Sequence, residues 1–198
     1  MKLAVITGST RPGRATQLQS AWIVKTASAM DNVQVEHVDL ADYRLPFFNE
    51  PMSPRYNPSR EIAPEVQKAL DKIKQFDAYV FVTPEYNHSV PGELKNLIDY
   101  FTSELSRKPA AVASHGVVGG ARAAMHLKEI LSEAQAVVIP QHSALVGLIA
   151  MGGILDEAGN LAPELASNPQ GPQAQLDRTL SELQWYSDAL SAARTANV

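Results

Sequence analysis

Apolar positions along this chain follow two alternating rhythms, short unbroken runs and stripes spaced three or four residues apart. The run Lys2 to Thr7 (KLAVIT), halted by Gly8, has the composition of a strand buried on both faces of a sheet. A polar loop follows, and Gln17 to Met30 then carries a partial stripe of Leu18, Ala21, Trp22 and Lys25 that predicts a helix. Val33 to Leu40 alternates loosely and predicts a second strand nearer the sheet edge. Residues 41–59 are rich in Pro, Asn, Ser and aromatics and predict a long loop. Ile62, Val66, Ala69, Leu70 and Ile73 recur at helical spacing up to Phe76, with Pro64 acceptable only in the first turn. Ala78 to Val82 (AYVFV) predicts a buried strand, and Leu94, Leu97, Ile98, Phe101 and Leu105 predict a helix over 93–106. Pro109 to Ser114 predicts a fourth strand, and Leu127, Ile130, Leu131 and Ala134 mark the next helix. Val137 to Ile139 opens a fifth strand, and Leu145 to Ala150 is a further apolar run. Residues 152–172 predict a loop, and Leu176, Leu180, Leu183 and Leu190 line a terminal helix.

Strand and helix patterns thus alternate five times without repeats, the arrangement of βαβ units on a parallel sheet. Right-handed crossovers put helices on both faces, which makes an α/β three-layer sandwich. Five strands favour the flavodoxin-like order 2-1-3-4-5 over a six-stranded dinucleotide fold, in one domain over residues 1–198. Ligands of such sheets lie at the carboxyl ends of the strands.

Composition narrows the chemistry. The absence of Cys among 198 residues excludes thiolate metal sites, iron–sulfur clusters and Cys nucleophiles, so any redox work needs a bound cofactor. A net charge of -4 gives no footprint for nucleic acid, and no apolar run reaches the roughly 20 residues of a membrane span. The N-terminus lacks a signal-peptide pattern, and the expected location is the cytoplasm. His37, His88, His115, His126 and His142 show no metal-ligand spacing, so no metal is expected. No Gly-x-Ser-x-Gly elbow seats a nucleophilic Ser, and no catalytic side chain is assigned.

Three loops remain, leaving strands 1, 3 and 4, which are neighbours in the expected order. The first, Gly8 to Gln17 (GSTRPGRATQ), joins a strand to a helix start, where free amides and the helix dipole attract anions. Ser9 and Thr16 add hydroxyls and Arg11 or Arg14 adds charge, so a phosphate monoester suits it. An ordinary turn is the competing reading. Thr83 to Gly92 (TPEYNHSVPG) is stiffened by two prolines and offers Tyr86, Asn87 and Ser89 to a planar heterocycle, or else forms only a rigid turn. Ser114 to Arg122 (SHGVVGGAR) has three glycines that let a flat ligand approach the main chain, or that serve a tight turn alone; Arg122 is expected to face solvent.

GSTRPGR, TPEYNHSVPGELKNLIDY and SHGVVGGARAAMHLKEIL resemble, in order and spacing, the NADPH-dependent FMN reductase family of flavodoxin-like proteins, over about residues 1–150. The resemblance implies noncovalent FMN, with NADPH or NADH as hydride donor and a quinone, azo compound, flavin or similar small molecule as acceptor. It implies that Ser9, Arg11 and the amides of Arg14, Ala15, Thr16 and Gln17 hold the phosphate. Pro84, Glu85, Tyr86 and Asn87 then border the isoalloxazine, and Ser114 with the Gly116 backbone meets its far side. The commonest first motif has Ser, and Asn or Ser, where Arg14 and Thr16 stand here. Family members are usually homodimers or homotetramers. The alternative function is a flavodoxin-type electron carrier or a flavin-binding sensor without NAD(P)H turnover, and the modest net charge speaks mildly against the carrier.

Overall fold

A computed structural model describes residues 1–147 and 153–196. Five parallel strands stand in the order β2-β1-β3-β4-β5: β1 (Lys2–Thr7), β2 (Gln34–Asp39), β3 (Ala78–Pro84), β4 (Pro109–Gly116) and β5 (Val137–Val146). The expected flavodoxin-like order is therefore the observed one. β1 and β3 are buried along almost their whole length, as the unbroken apolar runs require in a sheet covered on both faces. Of the apolar run at Leu145–Ala150, Leu145 and Val146 complete β5, and residues 148–150 lie outside the described residues.

Among the described residues there are six α-helices, α1 (Thr16–Ser28), α2 (Pro64–Lys74), α3 (Gly92–Asp99), α4 (Ala121–Glu133), α5 (Pro163–Ala166) and α6 (Pro172–Thr195), of which the short α5 packs on α6. One core unites α2, α3 and α4 with Ala4, Ile6, Phe81 and Val112; the other unites α1 and α6 with Leu3, Val5, Val80 and Ala113. Alternate residues of each strand thus feed opposite layers.

Two elements differ from expectation, α3 and the 152–172 segment. α3 ends at Asp99 rather than near residue 106. Arg60 Nη2 donates to the Tyr100 carbonyl, and the Glu104 carboxylate accepts from the amides of Thr102 and Ser103, so side chains capture groups that another helical turn would use. Phe101 and Leu105 are still buried, placed by turns instead of a helix. α1 turns Gln19 and Ser20 toward the sheet beside Trp22, Ile23 and Ala27, which explains its weak apolar stripe. The described part of the 152–172 segment contains α5 and a bridge between Leu155 and Leu161 rather than loop alone. Pro64 stands in the first turn of α2, as required.

Candidate functional site

The carboxyl ends of β1, β3 and β4 lie side by side, and hydrogen bonds lock their loops together. The Gly8 amide donates to the Val82 carbonyl at 2.9 Å, which pins the first loop to β3. A Cβ on Gly8 would lie 2.7 Å from Leu94 Cδ2 and 2.8 Å from Val82 O, so only glycine lets the loop pass beneath α3. Ser9 is fully buried, and its Oγ shares a 2.8 Å hydrogen bond with the Tyr86 hydroxyl. The Arg11 guanidinium lies 5.0 Å from the centre of the Tyr86 ring, a cation–π contact that ties the first loop to the second. Thr10 Oγ1 donates to Glu93 Oε1 at 3.0 Å across the same junction.

The N-terminus of α1 faces this junction. Its cap, Ala15, offers no side-chain acceptor, and among the described residues the amides of Ala15 and Thr16 have no backbone acceptor. Thr16 Oγ1 and Arg14 Nε are buried and lack hydrogen-bond partners. Buried donors at a helix start call for an anion, and a phosphate monoester supplies the acceptors. This geometry fits the phosphate of FMN.

In the second loop, Tyr86 and Ser89 exchange backbone hydrogen bonds of 2.9 and 3.0 Å around Asn87 and His88. Both central residues have positive φ, 48° and 67°, a two-residue reverse turn that Asn tolerates and His adopts with strain. Such strain is held by the surroundings, here the stiffening Pro84 and Pro91 and a 3.3 Å contact between Ser89 Oγ and His126 Nδ1. The turn exposes Asn87 at the mouth of the site.

Glu85 links the second loop to the third. Its amide donates to the His115 carbonyl at 3.1 Å, and its carboxylate accepts from the Arg122 amide and from Arg122 Nη1, both at 3.0 Å. Burial raises the Glu85 pKa, but the side-chain and amide bonds of Arg122 and Ala123 outweigh it and hold the carboxyl below its ordinary value. Arg122 is thus half of an ion pair, not only a solvated cation. Glu85 thereby caps α4, whose own cap residue is the left-handed Gly120. A Cβ on Gly120 would stand 2.7 Å from the His115 carbonyl, so the third loop also depends on glycine.

Ser114 is fully buried, and its hydroxyl donates to the Gly119 carbonyl at 2.7 Å; it shapes the third loop from below. The Gly116 carbonyl accepts from the amides of Gly119 and Gly147. Beneath the site, Gln19 Nε2 donates to the Ser114 carbonyl, and Gln19 Oε1 faces His115 Nδ1 at 2.8 Å, so that nitrogen carries the proton. Burial pushes the His115 imidazole down to about 4. Thr7 Oγ1 bonds Ser20 Oγ and His37 Nε2 at 2.6 and 2.7 Å. The sequence patterns do not single out Gln19 or the Glu85–Arg122 pair for these roles. The low apolar content of the inner face of α1 was the available signal.

Ser9, Arg11, Ala15 and Thr16 of the first loop stand beside Pro84, Glu85, Tyr86 and Asn87 of the second, whereas the amides of Arg14 and Gln17 are taken by the Arg11 and Arg14 carbonyls and their side chains turn to Asp39. Ser114 and Gly116 stand at the end of β4 beside them. Among the described residues, no group of three or more His, Asp or Glu could hold a metal ion.

Residues 1–150 match the model of the NADPH-dependent FMN reductase family. The chain belongs to this family. It is 36% identical over 134 residues to the NAD(P)H-dependent FMN reductase ntnL of Nectria sp, covering 66% of this chain and 67% of the relative. It is also 36% identical over 157 residues to a quinone reductase of Escherichia coli (strain K12), covering 75% and 79%. Among solved structures, FerB, a flavoenzyme NAD(P)H:(acceptor) oxidoreductase from Paracoccus denitrificans, superposes with a TM-score of 0.67 at 22% identity, over 96% of this chain and 97% of that one. That likeness shows the fold. Family membership makes the protein an NAD(P)H-dependent oxidoreductase that works with FMN on a small-molecule acceptor, as the motifs imply. No helix among the described residues is long and apolar enough to cross a membrane.

Proposed function

We propose that the three loops form one FMN site and that the enzyme transfers hydride equivalents from NAD(P)H to a quinone or a comparable two-electron acceptor in the cytoplasm. The observation that carries this is the set of unpartnered donors at the start of α1, beside the Asn87–His88 turn and the glycine loop. When bound, FMN supplies the hydride-accepting chemistry, and the protein supplies grip and polarity.

The first loop binds the phosphate through the amides of Ala15 and Thr16, Thr16 Oγ1 and the positive end of α1. Arg11, held over Tyr86, adds charge at the rim. Pro84 to Asn87 border one edge of the ring, with the Asn87 amides oriented by the strained turn to stabilise negative charge. The Gly116 to Gly120 backbone covers the far edge, fixed by Ser114 and Glu85. No side chain is assigned a proton-transfer role.

We read residues 1–198 as a single domain, because both cores run across the whole sheet and α6 closes one of them. The exposed Val117, Val118 and Val146 at the site's rim, with Met125 on α4, supply an apolar surface for a homodimer or homotetramer.

The test is an absorption spectrum after FMN addition and desalting, followed by anaerobic NADPH and then a quinone. Retained flavin that bleaches with NADPH and recovers its colour with quinone is expected. Flavin that stays oxidised would return the protein to the carrier or sensor alternative.

A further inference from the structure

The phosphate reading leaves one charged pair in the first loop unexplained. Arg14 Nη2 and Asp39 Oδ2 form an ion pair of 2.5 Å, with side chains only 8% and 13% exposed. Asp39 ends β2, and its Oδ1 accepts from the Ala41 amide, so the carboxylate is held in place by its own turn. Gln17 Nε2 adds a long contact of 3.4 Å to Oδ2. Arg14 Nη1 donates to the Arg11 carbonyl, which fixes the guanidinium inside the loop. Its Nε remains buried without a partner, and so does Oγ1 of the fully buried Thr16, the first residue of α1. Two unpartnered donors on one helix start point to an anion, and one of them belongs to a guanidinium already paired with a carboxylate.

We infer that Asp39 is a surrogate anion for the flavin phosphate: it shares the Arg14 guanidinium with the phosphate and thereby weakens the grip of the cradle on FMN. This rests on the FMN reading above. A guanidinium has five N–H donors, so Nη2 can serve Asp39 while Nε serves a phosphate oxygen. Two anions on one guanidinium stand roughly 5 to 7 Å apart and repel each other in a partly buried site. Removing the Asp39 charge removes that repulsion and leaves the phosphate as the counter-ion of a buried cation. Lost orientation of Arg14 acts the other way. It amounts to the rotamer freedom of one side chain, against a charge interaction with a dianion, so the electrostatic effect wins. Without flavin the sign reverses, because Asp39 is then what neutralises Arg14. The pair keeps the first loop assembled between flavins and makes the flavin easier to exchange.

Asp39→Asn isolates the effect, because the Asn oxygen keeps accepting from the Ala41 amide while its amino group cannot accept from Arg14. Dissociation constants for FMN and for riboflavin, which lacks the phosphate, are read by quenching of flavin fluorescence, with melting temperatures taken without flavin. Asp39→Asn is expected to bind FMN about tenfold tighter, to bind riboflavin unchanged, and to melt lower. Arg14→Ala and Arg14→Lys are both expected to bind FMN about tenfold more weakly with riboflavin unchanged, since the single nitrogen of Lys stays with Asp39. FMN binding by Asp39→Asn that is no tighter than wild type overturns the inference. If that variant does not fold, Arg14→Lys decides, and wild-type FMN affinity there overturns it. Wild-type protein that binds neither flavin overturns the FMN reading itself, a result distinct from bound FMN with variants that do not separate.

Discussion

On one face of the sheet, Val66, Leu70 and Ile73 of α2, Leu94 and Leu97 of α3, and Leu127 and Leu131 of α4 meet Tyr79, Phe81 and Val112 through apolar surface. On the other, α1 sets Gln19 and Ser20 against Ser114, His115 and Thr7 by hydrogen bonds, beside the apolar Trp22 and Ile23. The first face is held by area and shape, and small changes in volume are felt there as lost stability. The second is held near the site by matched donors and acceptors, which fix the position of the loops above them. Both layers therefore contribute to stability, and the polar patch of the second also aims the site.

The apolar face should show the greatest loss. Leu127→Ala is expected to cost about 3 to 4 kcal/mol in urea denaturation, because Leu127 is fully buried, while FMN affinity at 25 °C stays at the wild-type value. An equal loss of flavin binding would erase the distinction between the layers.

On the polar face, His115 carries a pH dependence. Its folded pKa is about 4 against an ordinary 6.5, so between these values the unfolded chain binds the extra proton. The stability this neutral imidazole provides is complete above about pH 6.5 and is lost as pH falls toward 4, by about 3 kcal/mol. Burial also lowers His142, which adds in the same direction. Denaturation at pH 4.5 and 7 should show the slope, and His115→Asn, which does not titrate, should flatten it.

Gln19→Ala removes the partner of both the Ser114 carbonyl and His115 Nδ1 and is expected to cost about 2 kcal/mol, with weakened FMN binding as the third loop loosens. Glu85→Ala removes the cap of α4 and its bond to the half-exposed Arg122; about 1 kcal/mol is expected by thermal denaturation.

The same contrast governs what could be read from residues alone. Unbroken runs such as KLAVIT and AYVFV become buried strands because burial on both faces selects apolar side chains, with Thr7 at the end of the first run satisfied by Ser20 and His37, and five alternations lead directly to the observed strand order. The stripe Leu94, Leu97, Ile98, Phe101 and Leu105 marks burial correctly but not the helix end, because Glu104 and Arg60 capture backbone groups from outside the periodic pattern. Loop chemistry pointed to the junction of the first two loops, yet not to Asp39, Gln19 or the Glu85–Arg122 pair. Those partners lie 25, 96 and 37 residues from Arg14, His115 and Arg122, and periodicity carries no information about such pairing.

FMN titration of the wild type, Arg11→Ala, Asn87→Trp and Leu127→Ala, each confirmed as folded at 25 °C, tests the three-loop site most directly. Arg11→Ala and Asn87→Trp are expected to lose at least tenfold in affinity, through phosphate and ring respectively, and Leu127→Ala to keep it. Wild-type affinity in both loop variants would contradict the site.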